Sequence, residues 1–140
     1  MKYMIIGGVA GGASTAARLR RLDEQAEIIL FEKGEYISYA NCGLPYYIGG
    51  VIEERERLFV QTPESFKARF NIEVRIKSEV KAIEPENKQV VIKDWATGKT
   101  YRESFDKLVL SPGAEPVLPP WEGIRTEGIF TLRNVADTCL

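Results

Sequence analysis

The most reactive side chain that this sequence offers is the thiol of Cys42, which lies among aromatic and small residues in the stretch SYANCGLPY, residues 38–46. The thiolate is the nucleophilic form of cysteine, and a short helix beginning at Asn41 or Cys42 would favour it through the helix dipole. A buried structural cysteine is the alternative, and composition alone leaves both open. Cys139 is far away in the sequence, so no disulfide scaffold is predicted.

A glycine-rich turn precedes Cys42, and an acid follows this turn at a characteristic distance. Residues 2–31 read as strand, turn, helix and strand, with GGVAGG at residues 7–12 and Glu32 directly after the second strand. In a βαβ dinucleotide-binding unit, such glycines let a pyrophosphate approach the helix N-terminus, and the acid accepts a hydrogen bond from a ribose hydroxyl. Compared with the G-x-G-x-x-G template, Gly7 and Gly12 match, whereas Val9 replaces the middle glycine. A turn that binds no nucleotide is the alternative, but the flanking elements and Glu32 favour nucleotide binding.

The helix after this turn carries a polar face. Ser14, Arg18 and Arg21 are spaced by four and three residues, so they share one side of the helix. By itself this spacing is typical of a solvent-exposed basic surface.

Composition excludes several classes of function. The 19 basic and 20 acidic residues nearly cancel, which argues against a nucleic-acid partner. No apolar run approaches the roughly 20 residues of a membrane span, and no signal-peptide pattern is present. The sequence contains no histidine, which excludes His-based triads and most zinc sites. A cytoplasmic protein without membrane partners is predicted.

The rest of the chain predicts an α/β fold with a small antiparallel β-meander. A helix is expected to begin with Thr62 as N-cap and Pro63 at its first position. An apolar strand over residues 105–110 is expected to end in the turn Ser111-Pro112-Gly113, where a parallel sheet places its ligand. The other predicted elements are a charged helix-like segment (51–58), strands (72–76, 79–83, 89–92, 100–103 and 129–132) and a helix start near 134–140.

Four motifs carry a resemblance to a known family. Residues 7–14, 20–24, 31–34 and 38–46 closely resemble the coenzyme A disulfide reductase branch of the FAD-dependent pyridine nucleotide-disulfide oxidoreductases. NADH oxidases, NADH peroxidases and CoA-persulfide reductases are near relatives, and the glycine turn of the family also lacks its middle glycine. The resemblance implies a Rossmann-like FAD-binding domain, of which residues 1–140 are the N-terminal segment. It also implies a separate NAD(P)H-binding domain and a dimerisation domain, both absent from these residues, and a homodimer.

The resemblance also implies roles for individual residues. Cys42 corresponds to the single redox cysteine, which forms a mixed disulfide with a small thiol or oxidises to sulfenic acid. The implied FAD-binding residues are Gly7, Gly8, Val9, Ala10, Gly11, Gly12, Glu32, Lys33, Ser111, Pro112 and Gly113. The implied CoA-binding residues are Ser14, Arg18, Arg21, Ser38 and Asn41.

The implied reaction is the reduction of CoA disulfide or CoA persulfide by NAD(P)H through FAD and Cys42. One alternative is an NADH oxidase in which Cys42 cycles through sulfenic acid. Peroxidase chemistry is disfavoured, because Ala10 stands where NADH peroxidases carry a histidine. A further alternative is a noncatalytic fragment that binds a nucleotide or a partner. Without a nicotinamide domain, residues 1–140 alone are expected to be inactive.

Overall fold

The computed structural model describes residues 1–139, which form two compact units. The first unit comprises Met1–Tyr39 and Gln61–Gly113, and the second comprises Ala40–Val60 and the chain from Ala114 onward. The strands are β1 (Lys2–Ile6), β2 (Glu27–Phe31), β3 (Glu73–Arg75), β4 (Ser78–Glu84), β5 (Gln89–Asp94), β6 (Thr100–Ser104) and β7 (Lys107–Leu110). The α-helices are α1 (Ala10–Leu22), α2 (Leu44–Ile48) and α3 (Pro63–Phe70).

The first unit contains the predicted parallel sheet and the predicted meander. The parallel sheet has the strand order β3-β2-β1-β7, and the antiparallel sheet has the order β4-β5-β6. Every pairing within the larger sheet is parallel, so the carboxyl ends of β1, β2 and β7 lie at the same edge. The α/β fold class expected from the sequence is therefore confirmed.

Two apolar clusters hold the layers of the first unit together. On one face of the parallel sheet, Ile5, Leu30 and Ile72 pack with the small helix residues Ala13 and Ala16. On the other face, the alternating residues Met4, Ile29 and Phe31 pack against Val90 and Ile92 of the meander. The strands of the parallel sheet are thus covered on both sides, which explains their nearly continuous apolar sequences.

The ends of α1 and α3 are fixed by different local chemistry. At the start of α3, the Thr62 Oγ1 accepts from the Ser65 N–H, while the Ser65 Oγ accepts from the Thr62 N–H. This capping box confirms the predicted helix start. Near the end of α1, the Arg20 guanidinium donates to the carbonyl oxygens of Phe70 (2.7 Å) and Glu24 (2.7 Å). Arg20 therefore ties α1 to the C-terminus of α3 and has a structural role.

A partly buried ionic cluster joins the meander to the parallel sheet. The Glu103 carboxylate contacts the Lys2 Nζ at 2.6 Å and the Arg75 Nη1 at 2.8 Å. The Arg75 guanidinium also lies over the rings of Phe31 and Tyr101, at 5.4 and 5.8 Å from their centroids. Burial alone would raise the pKa of Glu103, but the hydrogen bonds from Lys2 and Arg75 outweigh it and lower the pKa below its ordinary value.

Replacing Glu103 with glutamine is expected to lower the free energy of unfolding at pH 7 by about 1–3 kcal/mol, because two charge-assisted hydrogen bonds are lost. A carboxyl with a lowered folded-state pKa stabilises the fold above its unfolded pKa, which is near 4.5, and this contribution disappears as the pH falls through the folded value. The difference between wild type and Glu103→Gln should therefore shrink below about pH 4.5. Urea unfolding of both proteins at pH 7 and pH 3 measures this difference in unfolding free energy.

Lys81→Gln provides the matched control within the meander, because the Lys81–Glu79 pair is exposed at the lysine. Its removal should cost about 0.5 kcal/mol or less. An equal effect of the two substitutions would show that the Glu103 cluster contributes no more than a surface ion pair.

Three sequence-based predictions for the second unit fail or change. Residues 129–132 form no strand, because no strand among the described residues pairs with them. Ile129 and Phe130 are exposed. Residues 51–58 form no α-helix, and a single 3-10 turn covers Arg55–Leu58, where Leu58 is buried. The predicted helix near residue 134 is a 3-10 turn, Ala136–Cys139, and Leu140 lies outside the described residues.

Across residues 1–139, no helix has both the length and the apolar character needed to cross a bilayer.

Candidate functional site

The glycine turn after β1 requires glycine for steric reasons. Gly7 has a φ of +96°, and its N–H donates to the Phe31 carbonyl oxygen at 2.8 Å. A Cβ atom on Gly7 would lie 1.9 Å from the Ser111 carbonyl oxygen, and one on Gly12 would lie 1.7 Å from the Gly7 carbonyl oxygen. Neither gap can hold a side chain, so the first and last glycines of the motif bring α1 close to β1 and β7.

The N-terminus of α1 fits an anionic ligand. Val9 occupies the N-cap position and provides no side-chain hydrogen bond to the first turn. The first turn of α1 carries no acidic residue, and Ala10 and Gly11 are exposed. Helix amides without a cap and the positive end of the helix dipole together suit a phosphate.

Glu32 lies beside this turn and is almost fully buried, with 9% of its surface exposed. Its Oε2 accepts from the Gly8 N–H at 2.8 Å, and its Oε1 accepts from the Gly34 N–H at 2.8 Å. Each oxygen of an ionised carboxylate has a second lone pair, so both can still accept a further donor. Glu32 therefore clamps the glycine turn and keeps the capacity to accept from a hydroxyl.

The turn after β7, which begins at Ser111, lies against the glycine turn. The Ser111 N–H donates to the Ile6 carbonyl oxygen at 2.8 Å, which extends the pairing of β7 with β1. A Cβ atom on Gly11 would lie 3.1 Å from the Ser111 Oγ, so this turn lies against the start of α1. Pro112 and Gly113 follow as exposed residues, and Gly113 has a φ of +74°. The structure thus brings Ser111 next to the glycine turn.

The polar residues predicted on α1 are free to bind a ligand. Ser14, Arg18 and Arg21 are exposed, and within residues 1–139 neither arginine has an ion-pair partner. Their neighbour Arg20 differs, since its guanidinium is occupied by backbone carbonyl groups. Sequence spacing separates these arginines by helix face but does not reveal that Arg20 is structural.

Ser38 and Lys33 flank the site within the first unit. Ser38 has a left-handed backbone with a φ of +46°, and its N–H donates to the Gly8 carbonyl oxygen at 2.9 Å. Ser38 is half-buried and directly bonded to the glycine turn, whereas Lys33 is exposed next to Glu32.

Cys42 lies in the second unit and is exposed, with a free thiol. The alternative of a buried structural cysteine is therefore wrong. A 3-10 turn covers Asn41–Gly43 and leads directly into α2, so the helical segment predicted at Asn41 exists. Gly43 is buried, and a Cβ atom on it would lie 3.0 Å from the Leu58 Cδ2, which fixes the backbone beside the thiol. The role of Cys42 as the redox cysteine remains a prediction.

The comparisons with known proteins identify the family. A family model described as pyridine nucleotide-disulphide oxidoreductase matches residues 1–139. The chain belongs to this family. Membership implies FAD and a nicotinamide nucleotide as the cofactors of the whole oxidoreductase. The resemblance found in the sequence motifs is thereby confirmed.

Individual members of the family match over nearly the whole chain. A coenzyme A disulfide reductase of Staphylococcus aureus (strain JH9) is 45% identical over 137 residues, which are 98% of this chain and 31% of the relative. The crystal structure of reduced CoADR-RHD from Bacillus anthracis is 58% identical with a TM-score of 0.94, and the match covers 99% of this chain and 25% of that one. A water-forming NADH oxidase from Lactobacillus brevis, bound to NADH, is 28% identical with a TM-score of 0.90, covering 99% of this chain and 31% of that one. The chain therefore spans about a third or less of these oxidoreductases.

One set of contacts at the site was missed by the sequence analysis. The connection between β3 and β4, around Lys77, bonds to the backbone of Glu32 and Gly34. No local signal predicts this contact, because the two segments are more than 40 residues apart and meet only when β3 pairs with β2.

Proposed function

We propose that this chain is the FAD-binding part of a flavoprotein oxidoreductase that uses NAD(P)H to reduce CoA disulfide or CoA persulfide through Cys42. One observation carries the FAD assignment: the glycine turn, Glu32 and Ser111 meet at the carboxyl ends of β1, β2 and β7, around an uncapped helix N-terminus. Bound there, FAD supplies a two-electron carrier between the nicotinamide nucleotide and the thiol.

Different residues around the glycine turn bind different parts of FAD. The amides at the start of α1 hold the pyrophosphate, since no side chain caps them. Glu32 accepts from a hydroxyl of the adenosine ribose, and Lys33 lies beside it. The turn after β7 would also border the pyrophosphate, because Ser111 lies against the start of α1. The full set is Gly7, Gly8, Val9, Ala10, Gly11, Gly12, Glu32, Lys33, Ser111, Pro112 and Gly113.

Cys42 performs the thiol chemistry. Its thiolate attacks one sulfur of CoA disulfide, which forms a mixed disulfide and releases one CoA thiolate. Two electrons that come from NAD(P)H then cleave the mixed disulfide, releasing the second CoA thiolate and restoring Cys42. The exposure of the thiol supports this role.

FAD binding is tested most directly by chemical-shift mapping of the isotope-labelled protein, which detects weak as well as tight complexes. Addition of FAD should shift the amide signals of residues 7–12, Glu32–Gly34 and Ser111, while those of residues 85–88, which connect β4 to β5 at the opposite end of that hairpin from Ser78, stay unchanged. Shifts confined to other regions, or none at millimolar FAD, would refute the assignment.

Arg18 and Arg21 are proposed to bind the phosphates of CoA, together with Ser14, Ser38 and Asn41. Because a charge-assisted hydrogen bond to a phosphate contributes about 1.5 kcal/mol or more, replacing either arginine by glutamine should weaken CoA binding about tenfold. A CoA titration of each variant measures this loss, which should diminish at high salt.

Lys99→Gln serves as the control for this titration, since Lys99 is an exposed cation in the β5–β6 turn. An equal loss in Lys99→Gln would indicate nonspecific attraction by net charge. Unchanged CoA binding in both arginine variants would remove α1 from the CoA site.

The second candidate is an NADH oxidase, favoured by the structural match to the Lactobacillus brevis enzyme. In that case two electrons from one NAD(P)H would reduce oxygen to hydrogen peroxide, and the Cys42 thiolate would attack the peroxide to give sulfenic acid and water. A second NAD(P)H would then reduce the sulfenic acid to the thiol, releasing another water. Parallel assays of NAD(P)H consumption with oxygen and, anaerobically, with CoA disulfide separate the two reactions in a polypeptide that also carries a nicotinamide-binding domain. A noncatalytic nucleotide-binding fragment would show neither. A homodimer, a cytoplasmic location and the lack of nucleic-acid and membrane partners remain predictions.

A further inference from the structure

We infer that Lys77 is a positioning residue for the ribose-binding carboxylate of Glu32, and that it acts through the backbone bend formed by residues 75–78. This inference rests on the proposed role of Glu32 in holding the adenosine ribose. The bend lies between β3 and β4, far from Glu32 in the sequence.

The bend holds both backbone polar groups of Glu32. The Glu32 N–H donates to the Arg75 carbonyl oxygen at 3.0 Å, and the Glu32 carbonyl oxygen accepts from the Ser78 N–H at 2.9 Å. One position further into the bend, the Lys77 N–H donates to the Gly34 carbonyl oxygen at 2.9 Å. Residues 32–35, the acidic turn, are therefore hydrogen-bonded to the bend on both sides of the exposed residue Lys33.

These bonds bear directly on the orientation of the carboxylate. The Oε1 of Glu32 is held by the Gly34 N–H, and the position of Gly34 depends in turn on the hydrogen bond from Lys77. Its other oxygen is held by the Gly8 N–H of the glycine turn. Moving the bend would shift Gly34 and release one of the two bonds that fix the side chain of Glu32.

Lys77 adopts an unfavourable backbone conformation at this point. Its φ of +50° lies in the left-handed region, which non-glycine residues adopt rarely and β-branched residues hardly at all. Three further contacts hold it there: the Trp95 N–H donates to its carbonyl oxygen at 2.8 Å, its Nζ pairs with the Glu35 Oε1 at 2.5 Å, and buried Ser78 bonds the Ile76 carbonyl oxygen. A strained residue held in place next to a ligand-binding acid is characteristic of a functional site.

A graded series of substitutions separates backbone positioning from charge. Lys77→Gly relieves the left-handed conformation and the β-branched Lys77→Val opposes it strongly, whereas Lys77→Gln keeps the same Cβ geometry and removes only the charge. The probes are ADP, which reproduces the adenosine diphosphate half of FAD, and its 2′-deoxy and 3′-deoxy analogues. The measured quantity is the ratio of dissociation constants between ADP and the deoxy analogue that binds more weakly.

Wild type should prefer ADP over that analogue about tenfold, because a hydrogen bond to a carboxylate is lost. Glu32→Gln should reduce this preference to near unity. Lys77→Gly and Lys77→Gln should keep this preference, whereas Lys77→Val should lose most of it. A thermal melt of each variant accompanies the titration, and Lys77→Thr, which is also β-branched, is tested in the same way if Lys77→Val does not fold.

The outcomes distinguish failure of this inference from failure of the proposed function. If Glu32→Gln loses the preference but the Lys77 series changes only the melting temperature, the bend is merely structural and the inference is overturned. If Glu32→Gln keeps the preference, the ribose role of Glu32 is wrong, and the inference falls with it. If Lys77→Gln acts like Lys77→Val, the ion pair with Glu35, and not the backbone, positions the turn, which also overturns it.

Discussion

Replacement of Cys42 by serine is expected to abolish the NAD(P)H-dependent reduction of CoA disulfide, by on the order of 10⁴-fold or more, as the loss of a catalytic nucleophile does in other enzymes. A serine hydroxyl is not ionised at neutral pH and cannot form the mixed disulfide. The assay requires a polypeptide that carries these residues together with a nicotinamide-binding domain. FAD binding should be unchanged in this variant, since the thiol lies outside the glycine turn.

Cys139→Ser is the matched control, because Cys139 is the other exposed free thiol among the described residues. Its activity should equal that of wild type. The 140-residue chain gives an independent readout: after incubation with CoA disulfide, peptide mapping by mass spectrometry should find CoA bound preferentially at Cys42. Full activity of Cys42→Ser, or a loss in Cys139→Ser of the same size, would contradict the proposed mechanism.

Replacement of Gly12 by alanine is expected to destabilise the first unit by about 3 kcal/mol or more. The added Cβ atom would lie 1.7 Å from the Gly7 carbonyl oxygen, and this backbone atom cannot move without separating α1 from β1. Urea unfolding followed by circular dichroism measures the loss. Nucleotide binding should be lost with it, because the amides at the start of α1 would be displaced.

Gly11→Ala distinguishes folding from binding at the adjacent position. Gly11 is exposed, and its added Cβ atom would lie 3.1 Å from the flexible Ser111 Oγ, so stability should change by only about 1 kcal/mol, in either direction. Affinity for FAD or ADP should nevertheless fall, since a methyl group would stand where the pyrophosphate approaches. A stable Gly12→Ala variant, or a Gly11→Ala variant with full affinity, would show that the glycine turn does not bind the pyrophosphate.

Much of the fold follows from local sequence patterns. The parallel strands β1, β2 and β7 were predicted because short apolar runs of this kind suit strands that are buried on both faces. The start of α3 was predicted because Thr62 and Pro63 are good residues for the first positions of a helix. In contrast, the apolar residues 129–132 suggested a strand that does not form. A strand depends on a partner, and an isolated apolar run does not reveal whether one exists.

The candidate site shows the same division. The sequence by itself determined the glycine turn, Glu32, the exposed face of Arg18 and Arg21, and the family, because these depend on residue type and short spacing. Only the tertiary structure decided that Arg20 is occupied by α3, that Cys42 is exposed, and that Lys77 bonds the acidic turn. These contacts join segments more than 40 residues apart or depend on how neighbouring segments cover a side chain. Strand pairing and helix packing determine these contacts, and the spacing of residues in a short stretch of sequence does not reveal them.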